Sequence, residues 1–281
     1  EYETADGVAL KDLPAAEREK LQKDPLAVAR DPRLYETVVL PGDNSSFIDY
    51  VYEPFKDGAD QVGKVGASRT GYWAKKYLNE EDRSNNGNGS LYFPLYRYAE
   101  VLLNYAEAKA ELGGCDQAVL DKTINVLRDR VDMPHLTVNP EMDPKYADSN
   151  LSSLIIEIRR ERRVELSFEY LRYQDLMRWA WGEKLKDRVL GMRLEDADFD
   201  DPRYEGVISK GGTENAGQNP VYVFKDADGK QYIDAYEKTN YATNRRTFDP
   251  KKDYLRPIPS SAISKNTNLG QNYGWTTGLK E

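Results

Sequence analysis

The chain is poor in the residues from which most catalytic and metal chemistry is built. It holds one cysteine, Cys115, and one histidine, His135. One cysteine excludes an internal disulfide, and the pair excludes a Cys/His metal cluster. A nucleophile–histidine arrangement would have to draw on His135. That residue follows Met133-Pro134 just past a predicted helix end and reads as an ordinary loop residue. Positive charge is in deficit. Forty Lys and Arg against 48 Asp and Glu leave a net charge of −8, which argues against a nucleic-acid partner. No apolar run approaches the roughly eighteen residues of a membrane-spanning helix. The opening EYETADGVALKD has no signal-peptide pattern. Cys115 lies between two predicted helices and cannot be a lipidated mature N-terminus. No phosphate loop and no nucleophile–base pair stands out, and no cofactor is expected.

What is present is charge, tyrosine and helical periodicity. Charged residues make up 31%, and there are 20 tyrosines, 4 tryptophans and 7 phenylalanines. Such a composition suits a surface that binds polar ligands, although tyrosine also packs well between helices. The densest helical stretch runs from Leu151 to Trp179. Leu151, Leu154, Ile155 and Ile158 share one face, and Val164, Phe168 and Leu171 open a second. Arg162 falls on the buried stripe and needs a partner. Glu165, Glu169, Arg172, Asp175 and Arg178 follow at spacings of three and four. These six residues read as a structural ion network fixing how two helices meet. Acid–base catalysis is the alternative use of so many carboxylates.

Other segments frame this one. A short helix is expected at Leu13–Gln22, and Tyr35–Leu40 reads as a strand stopped by Pro41-Gly42-Asp43. Residues 43–93 lack helical periodicity, and 85–89 (NNGNG) read as a loop. From Pro94 the pattern becomes helical. Leu95, Tyr98, Leu102, Tyr105 and Ala106 mark one face of a helix stopped at Gly113-Gly114. Asp116 is expected to cap the next helix. Its stripe is Leu120, Ile124, Leu127 and Val131, and Pro134 closes it. Ser149 or Asn150 is expected to cap the Leu151 helix, and Tyr173–Glu183 to form its antiparallel mate with Leu176, Met177 and Ala180 inward. Residues 190–250 read as polar and irregular, except for a β-hairpin turning at Asp226-Ala227-Asp228-Gly229. That D-x-D invites comparison with a calcium loop, but an EF-hand needs an oxygen ligand where Lys230 stands. A looser calcium site stays open. Tyr50, Tyr52, Tyr72 and Trp73 are the aromatic candidates for stacking on sugar rings, since loops on a rigid scaffold commonly carry binding residues. The structural alternative is that they wedge loops onto helices.

Four separated phrases carry a resemblance. They are E-R-R-x-E-L-x-x-E with R-x-x-D-L-x-R-W (Glu161–Glu169, Arg172–Trp179); R-D-P-R-L (Arg30–Leu34) with the earlier T-x-D-G (Thr4–Gly7); T-G-Y-x-x-x-K-Y (Thr70–Tyr77) with PLYRYAEVLLNYAEA (Pro94–Ala108); and the tail DYLRPIPSSAISKNTNLGQNYGW (Asp253–Trp275). Together, in their order along the chain, they resemble the SusD/RagB family of outer-membrane nutrient-binding lipoproteins of Bacteroidetes. In the tail, Tyr254, Leu255, Pro257, Ile258, Pro259, Gln271, Asn272, Gly274 and Trp275 are among the matches. Ala262, Thr267 and Tyr273 depart from it, as does Tyr170, where a glycine is usual. The helix ending A-E-A-x-x-x-L-G (Ala106–Gly113) is also similar to a tetratricopeptide pair.

The resemblance implies a mainly α fold with tetratricopeptide-like helical hairpins, long irregular loops and a few short strands. It implies that 1–281 is the C-terminal half of such a protein: a loop-rich segment (1–93), two helical hairpins (94–187) and an irregular region with a hairpin and the family tail (188–281). Two hairpins bury little alone, so they are expected to dock on the N-terminal half. The implied function is non-catalytic glycan binding at the cell surface. The partner implied is a SusC-like TonB-dependent transporter, and the anchor a lipidated cysteine outside this chain. Peptide or another nutrient is the alternative ligand. Unpaired charges around a pocket would favour peptide, and an open aromatic platform glycan. A two-carboxylate glycosidase and a protein-interaction scaffold are the remaining readings.

Overall fold

The computed structural model describes residues 1–44, 50–56, 58–79, 89, 92, 94–200, 202, 205, 207–208, 213–214, 221–235 and 246–276. The fold is mainly α, with helical hairpins, long irregular connections and a few short strands. The loop expected at 85–89 lies, apart from residue 89, outside the described residues.

After Pro14 the chain forms α1 (Ala15–Lys23) and then α2 (Pro32–Thr37). The strand expected from Tyr35 therefore begins only at β1 (Val38–Val39). The reason is a strong N-terminal cap. The Asp31 carboxylate accepts from Arg33 N at 3.0 Å, and Pro32 supplies a helical φ at the first position. β1 pairs antiparallel with β2 (Trp73–Ala74), Val39 facing Trp73.

The first core lies among α3 (Tyr98–Glu111), α4 (Gln117–Asp121), α5 (Ile124–Asp129) and α6 (Ser153–Glu165). Leu103, Ala106, Leu120, Ile124 and Ile158 are each wholly buried in it. α3 ends as its glycines require: Gly113 takes φ +69°, and Gly114 N donates to Lys109 O at 2.8 Å. Asp116 caps α4 through Val119 N at 2.9 Å.

Several expectations here need correction. The helix expected between Asp116 and Pro134 breaks at Thr123, whose hydroxyl donates to Val119 O at 2.6 Å while its backbone leaves the helical region. The cap of α6 is Ser152, which accepts from Ile155 N at 3.2 Å. The face expected on α3 is rotated. Ala99, Leu102, Leu103 and Ala106 are buried, but Leu95, Tyr98 and Tyr105 are exposed. Phe168 is exposed too, because the chain leaves the helix at Leu166 and turns through left-handed Phe168 and Tyr170, both at φ +62°. α7 (Arg172–Arg178) is shorter than expected. Ala180 lies outside it at φ +56° and is exposed rather than inward.

The second core lies under an antiparallel sheet in the order β3 (Leu190–Leu194), β6 (Gln231–Asp234), β5 (Val221–Lys225), β4 (Thr213–Glu214). Met192, Leu194, Val221 and Ile233 pack there with Phe55 and Val62. The β5–β6 hairpin turns at Asp226–Gly229 as read from sequence. Asp226 Oδ1 accepts from Asp228 N and Lys230 N, so this carboxylate serves the turn. Strand β3 falls in the stretch read as irregular. Its alternation is hidden by Gly191, which is required because a Cβ there would sit 2.5 Å from Thr70 O, where Met192 N bonds the same carbonyl.

The tail forms α8 (Ser260–Lys265) and a side-chain clasp. Gln271 bonds both the N–H and the C=O of Ile258, Asn272 donates to Arg256 O at 2.6 Å, and Trp275 Nε1 donates to Leu255 O at 2.9 Å.

Candidate ligand-binding site

The middle of the chain is fixed by buried charge. Glu161 is fully buried and accepts from Arg33 Nη1 at 2.6 Å and Arg128 Nε at 3.1 Å. Glu165 accepts from Arg97, Arg130 and Arg33 at 2.6 to 3.0 Å. Glu169 accepts from Lys76 and Arg97. Arg162 pairs with Asp175 at 2.7 Å and Asn104 at 2.8 Å, and Asp175 also accepts from Arg178 at 2.9 Å. Arg178 in turn reaches Glu107 on α3. Burial pushes the Glu161 carboxyl up, but Arg128 and Arg33 outweigh it and hold its pKa low. Glu165 is likewise held down, to about 2, its burial overcome by Arg97 and Arg130.

These contacts differ from the helical ladder expected of Arg162, Glu165, Glu169, Arg172, Asp175 and Arg178. The chain turns after Glu165, so the partners of Glu165 and Glu169 come from far along the sequence. Helical spacing could not reveal Arg33, Arg97, Arg128 or Lys76. Among the described residues Arg172 pairs with no carboxylate. Its guanidinium lies 5.8 Å from the Trp179 ring centroid.

The aromatic candidates separate. Tyr52 is 1% exposed and shows no ring face to a ligand, and burial raises its phenol pKa. Tyr72 packs against the second core. Tyr50 and Trp73 stay at the surface, Tyr50 bonded to Asp60 and Trp73 on β2. The structure does not gather the four into one platform.

A different aromatic group lines a cavity of about 210 Å³ between the N-terminal segment and α6. Tyr146 and Trp181 stack with centroids 5.3 Å apart and planes at 13°. Arg159 lies 4.7 Å from both the Trp179 and Trp181 centroids, and its Nε and Nη1 have no hydrogen-bond partner. Six cationic side chains line the cavity against four carboxylates. Three carboxylates are engaged: Glu157 and Glu3 with Arg160, and Glu1 with Arg163. Burial lowers the pKa of Arg172 and of Lys184 beside the stack, and repulsion from Arg163 adds to both. This cavity offers ring faces, guanidinium donors and carboxylate acceptors together. Tyr146, Trp181, Arg159 and Lys184 were not singled out from sequence. They lie outside the periodic stripes, and no local spacing marks them as neighbours.

Comparison with known proteins shows the family of the fold. A family model described as "SusD family" matches residues 1–275. The SusD-like protein P2 of Formosa agariphila is 34% identical over 227 residues, covering 79% of this chain and 33% of that protein. A crystal structure of a SusD-like carbohydrate-binding protein from Bacteroides fragilis superposes with a TM-score of 0.60 at 30% identity, over 96% of this chain and 46% of that one. A second SusD-like protein from B. fragilis shares the fold, with a TM-score of 0.58 at 24% identity, over 98% of this chain and 45% of that one. The chain thus spans a third to a half of the length of these relatives. The 281-residue chain belongs to the SusD family.

Proposed function

We propose that the chain binds glycans without catalysis, as part of a surface nutrient-uptake complex. The observation that carries this is the Tyr146–Trp181 stack lining a cavity whose rim supplies both donors and acceptors. Aromatic faces meet the C–H faces of pyranose rings, and a few convergent polar groups fix hydroxyls. The B. fragilis relative described as carbohydrate-binding supports the same ligand class. The cavity's glutamates at positions 3 and 157 are tied to Arg160, an arrangement suited to holding a ligand rather than to transferring protons. Tyr50 and Trp73 offer a further surface for a longer saccharide.

The wider role is part of the same proposal. The chain is read as the C-terminal half of a longer protein, with the segments 1–93, 94–187 and 188–281 defined above. Tyr98, Val101, Tyr105 and Leu112 leave an apolar stripe exposed along α3, which suits docking of the other half. An upstream lipidated cysteine would hold the protein at the outer membrane, where it would pass ligand to a SusC-like TonB-dependent transporter. No helix among the described residues is long and apolar enough to cross a membrane.

Calorimetric titration of the 281-residue chain against a panel of soluble oligosaccharides tests the reading. Saturable binding that is lost in the Trp181→Ala variant is the expected result. Silence toward every saccharide, with binding of peptides instead, would replace glycan by peptide as ligand.

A further inference from the structure

The cavity is lined by more cationic side chains than carboxylates. Arginines elsewhere in the interior are matched: Arg33, Arg128 and Arg162 each hold at least one carboxylate. In the cavity Arg159, Arg160 and Arg163 are matched in the same way, but other cations near the Tyr146–Trp181 stack are not. Among the described residues, no carboxylate forms an ion pair with Arg172, Lys145 or Lys184. Lys184 Nζ lies 5.0 Å from the Tyr146 centroid and 5.3 Å from that of Trp181, and Lys145 Nζ lies 5.9 Å from Tyr146. The two lysines therefore sit on the stack, and Arg172, which shares the cavity lining, lies 5.8 Å from the neighbouring Trp179 centroid. Burial and then repulsion from Lys145 act against the Lys184 charge, Asp187 favours it, and Arg172 and Arg163 add smaller repulsions. Arg172 and Lys184 are half-buried and Lys145 is exposed beside them, and like charges brought together with part of their surface out of water are costly unless an anion joins them.

We propose that this cavity takes an acidic sugar residue, its ring against Tyr146 and Trp181 and its carboxylate or sulfate ester held by Arg172 and Lys145 of the lining and by Lys184 beside the stack. The inference rests on the glycan-binding reading and names the ligand class. A uronic acid and a sulfated sugar present the same chemistry: a planar or tetrahedral set of anionic oxygens beside an apolar ring face. Guanidinium and ammonium donors match either. A peptide fits less well. Among the described residues, the groups without an ion pair are three cations and one carboxylate, Asp143, which already accepts from Lys145 N at 3.0 Å, so the excess is positive, whereas a peptide of mixed sequence brings both signs.

The test compares four probes on the 281-residue chain by calorimetry: oligogalacturonate, a sulfated oligogalactose, a neutral oligogalactose of equal length, and an oligoglutamate peptide. At least one acidic saccharide should bind about tenfold or more tighter than the neutral one. That preference should shrink between about 50 and 500 mM salt as screening grows. Whichever acidic saccharide binds tighter identifies the anion. In R172Q and K184Q, each checked for an unchanged thermal midpoint, the acidic-to-neutral affinity ratio should fall several-fold. Equal binding of acidic and neutral saccharides would overturn the proposal and leave glycan binding standing. An undiminished ratio in both folded variants would overturn the assignment to these cations. Preference for oligoglutamate over every saccharide, or no saccharide binding at all, would overturn the proposal together with the glycan reading.

Discussion

Glu161 shows how single residues hold this molecule together. A carboxylate with no exposure, gripped by Arg33 and Arg128, links α2, α5 and α6 at one atom group. Glu161→Gln should destabilise the chain by about 1–3 kcal/mol, because two buried guanidinia each lose one charged partner, Arg33 keeping Asp31 and Glu165 and Arg128 keeping Glu3 and Glu157. Denaturant unfolding measures this, and a loss below about 1 kcal/mol would contradict it. The network also sets the acid limit. Glu165 titrates at about 2 when folded, against an ordinary value of 4.5. Its stabilisation, roughly 3 kcal/mol, is complete above the unfolded pKa and lost as pH falls from about 4.5 towards 2. Stability measured across that window should decline with falling pH. In the Glu165→Gln variant the decline should be shallower. Tyr170 gives a third residue-scale outcome. It sits at φ +62° where the family usually has glycine, so Tyr170→Gly should be neutral or stabilising by up to about 1 kcal/mol in the same assay.

At the scale of elements, the legibility of the sequence followed the range of the interactions. Helix stops and caps that depend on near neighbours were readable: Gly113-Gly114 ends α3, and Asp116 caps α4. The hairpin at Asp226–Gly229 was readable for the same reason. Elements decided by distant contacts were not. Strand β3 owes its place to pairing with β6 and to Thr70 lying against Gly191. The face of α3 was misjudged because α3 is apolar on two sides, and periodicity alone does not tell which side α6 covers. Gly191→Ala tests this long-range account. With backbone 2.5 Å from the new Cβ, the strand must shift, and the sheet should lose about 1–3 kcal/mol. An unchanged unfolding midpoint would show that β3 does not need this approach.

For the whole molecule, the family was legible because its phrases are structural devices. The ion-pair motif builds the centre, and the tail motif builds the clasp in which Gln271 holds Ile258. The candidate site was legible only in kind. Aromatic and polar groups were expected, but those named lie apart, and Tyr52 is inside. Tyr146, Trp181 and Arg172 come together through tertiary folding, which no local spacing records. The proposed seat of the ligand is this cavity. The most direct measurement is a crystal structure of the 281-residue chain with its tightest-binding oligosaccharide. A sugar ring against Tyr146 and Trp181, within hydrogen-bond reach of Arg172 or Lys184, is the expected result. A saccharide bound elsewhere, with this cavity left to solvent, would contradict it.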